Sequence, residues 1–185
     1  MAKQGLKPVF AVYSTFLQRS YDALIHDMAL QGLHVVLAVD RAGLVGEDGE
    51  THQGVFDAAF LDTVPGMTVL CPSSFQELRS MLRRAVLDQT GPVAVRYPKG
   101  GEGTFRGDTG AASTCILRQG RDITLLGYGG MIDQLLDCAR RLEADGIDAE
   151  IVKLNAITPI DMAPIAASVR KTGRLLCAEE AARAN

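Results

Sequence analysis

The sequence predicts an α/β fold of mostly parallel sheets with helices on both faces. Apolar runs of strand length recur along the 185 residues, and most are followed by a stretch whose apolar positions repeat at helical spacing. The runs are apolar at almost every position instead of alternating, as strands covered by helices on both sides must be. Parallel strands of this kind are joined by right-handed crossovers, so order along the chain constrains order in the sheet.

The first strand is expected at residues 8–13, where Pro8 leads into Val9, Phe10, Ala11, Val12 and Tyr13. Ser14 or Thr15 then caps a helix in which Leu17, Tyr21, Leu24, Ile25 and Met28 share one face. Arg19 lies off that face and is available to a ligand. A second strand at 35–40 delivers Asp40 and Arg41 to its carboxyl end. A third, at 67–71, leads through Pro72 to Ser74, which with Glu77 reads as the capping box of a helix over about 75–88. Residues 92–97 supply a fourth strand, closed by Pro98, Lys99, Gly100 and Gly101.

Five glycines with polar residues between them fall from Gly100 to Gly110, the composition of a connection between units. The expected division is 1–104, a linker at 105–116, and 117–185. The second unit reads as a strand at 122–127, a helix at 131–144 with Ile132, Leu135, Leu136, Ala139 and Leu142 on one face, and a strand at 149–154. A weaker helix at 162–171 follows Asp161, then a strand at 174–178. About three strands are few for an independent doubly wound sheet, so the expectation is a piece of a longer protein.

With 47% hydrophobic residues the chain can fill a core. Nineteen basic against 22 acidic side chains give a net charge of −3, which supplies no global field for a polyanion, and nucleic acid is disfavoured. Cys71, Cys115, Cys138 and Cys177 lie far apart without zinc-like spacing and read as reduced thiols. No apolar run approaches the roughly 20 residues that span a bilayer, and the first residues lack the apolar core of a signal peptide. These features predict a cytoplasmic protein with no membrane partner.

Residues 43–54 pack Gly43, Gly46, Gly49 and Gly54 around Asp48 and His52, just after a predicted strand. Glycine admits a close backbone approach to a ligand, and an acid beside an imidazole can supply charge and proton transfer near neutral pH. Arg19, Arg41 and Arg96 all fall near strand ends, where ligands of open α/β sheets bind, and suit an anion. Other residues have plain readings. Tyr13 and Phe16 taken alone are core aromatics at a strand end. His26 and His34 have no metal-ligand partners and are structural. Residues 127–130 lack the third glycine of a dinucleotide fingerprint and form a tight turn into the next helix.

Four ordered motifs, at 13–22 (Tyr-Ser-Thr-Phe-Leu-Gln-Arg-Ser-Tyr-Asp), 40–46 (Asp-Arg-Ala-Gly-Leu-Val-Gly), 48–54 (Asp-Gly-Glu-Thr-His-Gln-Gly) and 95–100 (Val-Arg-Tyr-Pro-Lys-Gly), closely resemble the 1-deoxy-D-xylulose-5-phosphate synthase family. The resemblance covers nearly the whole chain but only the carboxyl-terminal part of the family's protein. It implies most of a pyrimidine-binding domain followed by the beginning of a transketolase-like last domain. The family uses thiamine diphosphate and Mg2+ to decarboxylate pyruvate and join the two-carbon unit to glyceraldehyde 3-phosphate, feeding isoprenoid, thiamine and pyridoxal synthesis.

By that resemblance, Phe16 stacks on the cofactor's aminopyrimidine and Tyr13 lines the same pocket beside the acceptor sugar. Arg19, Arg41 and Arg96 match acceptor-binding positions, chiefly for its phosphate, a role forked guanidinium groups fill well. His52 and Asp48 match the family's proton-handling pair. Lys99 stands where the family often has arginine. The family's amino-terminal domain, which holds the diphosphate through Mg2+, and the glutamate that protonates the pyrimidine ring are expected from a missing partner piece, the complete protein being a homodimer. The chain alone is therefore expected to be inactive. The alternatives are a non-catalytic sugar-phosphate-binding or dimerisation module, and the beta-type subunit of a two-subunit ketoacid dehydrogenase or transketolase.

Overall fold

The computed structural model describes residues 1–182, and at Asp48 the backbone alone. Strands β1 (Val9–Tyr13), β2 (Val36–Asp40), β3 (Thr68–Leu70) and β4 (Val93–Arg96) form a parallel sheet in the order β1-β2-β4-β3. β2 and β4 lie in the middle and are buried almost throughout, whereas the edge strand β1 is exposed over its first three residues. The unbroken apolar runs follow from that placement.

The segment after β1 is helical but irregular. It consists of α1 (Ser14–Leu17), a 3-10 turn (Gln18–Ser20), α2 (Tyr21–Ala23) and a π-helical stretch (Leu24–Ala29). Leu17, Leu24 and Met28 are buried, as the spacing predicts. Tyr21 sits at the rim, with its hydroxyl 2.6 Å from Thr63 Oγ1. The capping expectation is corrected. The helix begins at Ser14 with Tyr13 at the cap position; Ser14 Oγ is buried without a partner, and Thr15 donates to the Thr51 carbonyl instead.

A short helix, α3 (Asp57–Asp62), precedes β3, and α4 (Phe75–Leu87) follows it. Ser74 Oγ accepts from the Glu77 N–H at 3.0 Å, but Glu77 returns the contact to the N–H of Ser73 instead of Ser74. Glu77 is displaced from a regular capping box because its carboxylate has a second task. Both its oxygens lie 2.9 Å from Lys153 Nζ, with both side chains fully buried.

The second half contains β5 (Thr114–Arg118), β6 (Ile123–Tyr128), α5 (Met131–Ala144), β7 (Ala149–Leu154), β8 (Ala156–Thr158), α6 (Met162–Thr172) and β9 (Leu175–Ala178). Its sheet has the order β5-β7-β6-β9, parallel except for β5. Asp161 Oδ1 caps α6 by accepting from the Ala163 N–H. Two strands were hidden from periodicity. β5 begins inside the stretch read as linker, and β8 leaves its own half to pair antiparallel with β3.

That exchange makes the halves one packed body. A single buried cluster joins Leu37, Val39, Val69 and Ala94 of the first sheet to Val152, Leu154 and Ile165 of the second half. At its border, the Glu77–Lys153 pair is surrounded by Thr109, whose N–H and hydroxyl donate to Glu77 Oε1, and by Asn155, which bonds both Lys153 and the Thr109 carbonyl. A buried charge pair is tolerated only when its remaining donors and acceptors are satisfied in this way.

Candidate functional site at the strand ends

The carboxyl ends of β1, β2 and β4 meet on one rim. Tyr13, the last residue of β1, stacks on Phe16 with ring centroids 5.6 Å apart. The Arg19 guanidinium lies 5.5 Å from the Phe16 ring centre. Arg41, one residue past β2, lies 3.6 Å above the Tyr13 ring and pairs with Asp40. Its backbone adopts φ 58°, an unusual conformation for a residue with a side chain, held by an Asp40 carboxylate that accepts the Arg41 N–H at 2.7 Å.

His52 reaches the same pair from the glycine-rich loop. The loop is pinched at its base by two backbone hydrogen bonds of 2.8 Å between Gly43 and Gly54. Gln53 braces its interior, accepting from the Val45 N–H at 2.6 Å and donating to the carbonyls of Val45 and Gly49. Thus held, the His52 ring stands edge-on to Phe16 at 5.1 Å, with Nδ1 2.7 Å from Thr51 Oγ1. Gly54 is required here: a Cβ would collide with the Arg41 carbonyl oxygen and come within 2.9 Å of Ala42 Cα. The Asp48 side chain lies outside the described residues.

Arg96 does not join this group. Its side chain is 4% exposed and turns inward, donating from Nε (2.9 Å) and Nη2 (3.1 Å) to the carboxylate of Asp57, which is fully buried at the start of α3. The same Nη2 reaches the Gly54 carbonyl at 3.4 Å, and the guanidinium lies 5.5 Å from the Tyr128 ring centre. Burial would oppose its charge, but the Asp57 carboxylate that accepts its two hydrogen bonds holds it protonated. In return, burial pushes the Cys71 thiol up to about 11 despite the pull of Arg96. Arg96 thus forms a strut under the His52 loop. Arg19, Arg41 and His52 lie around the Tyr13–Phe16 pair, whereas Arg96 does not, because an arginine at the end of a central strand is buried and takes a buried carboxylate.

Lys99 takes the outward place. It lines, with Asp40 and Arg41, a cavity of about 350 Å3 between the ends of β2 and β4, the start of α4 and the chain after Pro98. Its ammonium lies 3.3 Å from Glu47 Oε2. In the sequence Lys99 stands out only as occupying a position where the resembled family often has arginine, and Asp57 as partner of Arg96, 39 residues away, leaves no local signal. A larger hollow of about 640 Å3 lies between the sheets, but its lining from Leu126, Leu154, Ile157 and Ala178 carries no cation among the described residues.

The second half also supports the site. Glu180 lies against Gly43 so closely that a Cβ there would meet its carboxylate, and burial raises its carboxyl while Arg96 counteracts. His34, predicted structural, sits with Nδ1 2.9 Å from the Gly91 carbonyl. Among the described residues no cluster of His, Cys, Asp and Glu could hold a metal, no helix is long and apolar enough to cross a membrane, and the four cysteines are unbridged.

Comparison with known proteins identifies the two halves of the fold. The family described as transketolase, pyrimidine binding domain, matches residues 1–101, and transketolase, C-terminal domain, matches residues 113–184. The 1-deoxy-D-xylulose-5-phosphate synthase of Chlorobium luteolum is 51% identical over 89% of this chain and 27% of that protein. The enzyme of the same name from Chlorobaculum tepidum is 48% identical over 97% of this chain and 29% of its own length. The chain thus spans less than a third of the length of these relatives. A split-gene transketolase, solved as an inactive beta4 tetramer, superposes with a TM-score of 0.82 at 28% identity over 97% of this chain and 59% of that one. A mutant transketolase from Pichia stipitis in complex with fructose 6-phosphate shares the fold, with a TM-score of 0.82 at 19% identity over 94% of this chain and 27% of its own. A pyrimidine-binding-domain match over more than half of its length, followed by a C-terminal-domain match, places this chain in the transketolase family.

Proposed function

We propose that this chain is the carboxyl-terminal portion of a 1-deoxy-D-xylulose-5-phosphate synthase and that its rim of strand ends binds the acceptor, glyceraldehyde 3-phosphate. The boundary between its two units lies between the end of β4 and the start of β5. The observation that carries the reading is the shared cavity of Arg41 and Lys99 beside Tyr13, Phe16 and His52. Arg41 and Lys99 bring two cations to a hollow that the carboxylates of Asp40, Glu102 and Asp133 also line; a phosphate would be held by charge-assisted hydrogen bonds to the two cations, worth about 1.5–3 kcal/mol each. Arg41 and Lys99 bind the phosphate, and Arg19 lies at the outer edge of the same face. Arg96 acts from below by supporting the loop.

The stacked, half-buried Tyr13 and Phe16 offer the flat apolar surface that an aminopyrimidine ring needs, so the residues present fit thiamine diphosphate. When bound, that cofactor supplies the carbanion-stabilising chemistry of pyruvate decarboxylation. Phe16 holds its ring and Tyr13 closes the pocket. His52, with Nδ1 engaged by Thr51, keeps Nε2 for exchanging a proton with the substrate hydroxyl, and Asp48 is assigned the neighbouring carboxylate role. Mg2+ and the diphosphate are held by a further domain of the complete, homodimeric enzyme, which also takes up pyruvate.

Calorimetric titration of the chain with glyceraldehyde 3-phosphate tests this reading. Arg41→Ala and Lys99→Ala should each weaken binding about tenfold or more, the loss of one charge-assisted contact. Absence of binding, or binding indifferent to both substitutions, overturns it.

A further inference from the structure

The geometry points to Asp133, on a helix of the second half, as the positioning residue that holds Lys99 in place; the inference rests on the reading that Arg41 and Lys99 bind phosphate. Lys99 stands at the head of a strap, residues 98–103, that leaves β4 and arches over the cavity. Three of its residues are glycine, one of them Gly100 at φ 112°, so the strap has little shape of its own. The densest set of contacts that shape it is at its far end. There a single oxygen, Asp133 Oδ1, accepts three hydrogen bonds, from the Thr104 N–H (2.7 Å), the Thr104 hydroxyl (2.6 Å) and the Phe105 N–H (2.8 Å).

Two further contacts seat the strap on Asp133. Gly103 rests directly on the carboxylate, where a Cβ would collide with it, and Phe105 packs into the core formed by α5, β6 and β7. Glu102 pins the middle by accepting from the Phe75 N–H at the start of α4, at 2.8 Å. Asp133 itself lines the same cavity as Arg41 and Lys99. The site on the first sheet is therefore completed by a carboxylate from the second half that touches no phosphate. Its effect is on occupancy: a strap released at Thr104 samples many conformations, and affinity falls by the fraction of time Lys99 spends away from Arg41.

The test uses the chain itself with glyceraldehyde 3-phosphate and inorganic phosphate as probes, read by calorimetry and by hydrogen exchange of backbone amides. Asp133→Ala should speed exchange at Thr104 and Phe105 and through the strap, leave exchange in β2, β4 and β7 unchanged, and weaken both anions about tenfold, as expected when the competent fraction falls to about a tenth. In the Asp133→Ala, Lys99→Ala double variant the second change should add almost nothing, whereas Arg41→Ala should still add its own effect. Should Asp133→Ala fail to fold, the near-isosteric Asp133→Leu keeps the bulk of the side chain while removing the acceptor, and makes the same comparison. If the wild type binds and Lys99→Ala weakens it, but Asp133 variants bind normally or add fully to Lys99→Ala, the positioning role alone is wrong. If the wild type binds neither anion, the phosphate reading fails and the role of Asp133 with it.

Discussion

Replacing Arg96 by methionine separates a structural arginine from a ligand-binding one. The guanidinium is 4% exposed and donates two hydrogen bonds to a fully buried Asp57, so its removal leaves a carboxylate without its partner in the core. Breaking a buried pair from one side costs about 3–5 kcal/mol. For a urea m-value of about 3 kcal/mol/M the unfolding midpoint should fall by roughly 1–1.7 M. Replacing both partners, as in Arg96→Met with Asp57→Leu, removes the orphaned charge and should recover much of that loss. Lys99→Ala should show the reverse pattern: a stability change within about 0.5 kcal/mol, as for surface positions, and weakened phosphate binding. Urea unfolding and calorimetry on the same samples decide the matter. An Arg96→Met protein with an unchanged midpoint that no longer binds the anion would refute the division of labour between the two cations.

Two further outcomes follow from the same region. Gly54→Ala places a methyl group on the Arg41 carbonyl and near Ala42 Cα, both backbone atoms that cannot yield; it should destabilise the protein by about 2 kcal/mol or more and speed exchange across the His52 loop, and normal exchange there would count against the pinch at Gly43 and Gly54. Burial lifts Cys71 from 9.0 to about 11, so the stability from its neutral thiol is complete below about pH 9 and is lost as pH rises through 11, up to about 3 kcal/mol. Cys71→Ala should flatten the fall in urea midpoint between pH 8.5 and about 11, and identical slopes would sink the assignment.

The local pattern was enough for the α/β class, for the regular strands and for the long helices α4 and α5, because burial on both sheet faces and amphipathic helix faces leave direct marks on composition. It was also enough to mark Arg41, just past a strand end, and His52, on a loop whose glycines are visible in the chain, as candidates, whereas Tyr13 and Phe16 read locally as core aromatics and gained a site role only from the family resemblance. Three elements escaped. α3 is six residues long, β8 is three, and β5 lies in a stretch whose glycines read as connection, so none has a period to detect.

Only the tertiary structure could sort the cations. Arg96 and Lys99 are three residues apart, and nothing local says which faces the core; the buried carboxylate of Asp57, brought 39 residues back to the end of β4, turns Arg96 inward and leaves the outward place to Lys99. The same holds for Glu77, a helix cap by its spacing and an ion-pair partner of Lys153 by its position 76 residues away. Periodicity and capping are written into neighbouring residues. The partner of a buried charge is chosen by the fold, since desolvation forces each such group to find its counter-charge in space, whatever the distance along the chain.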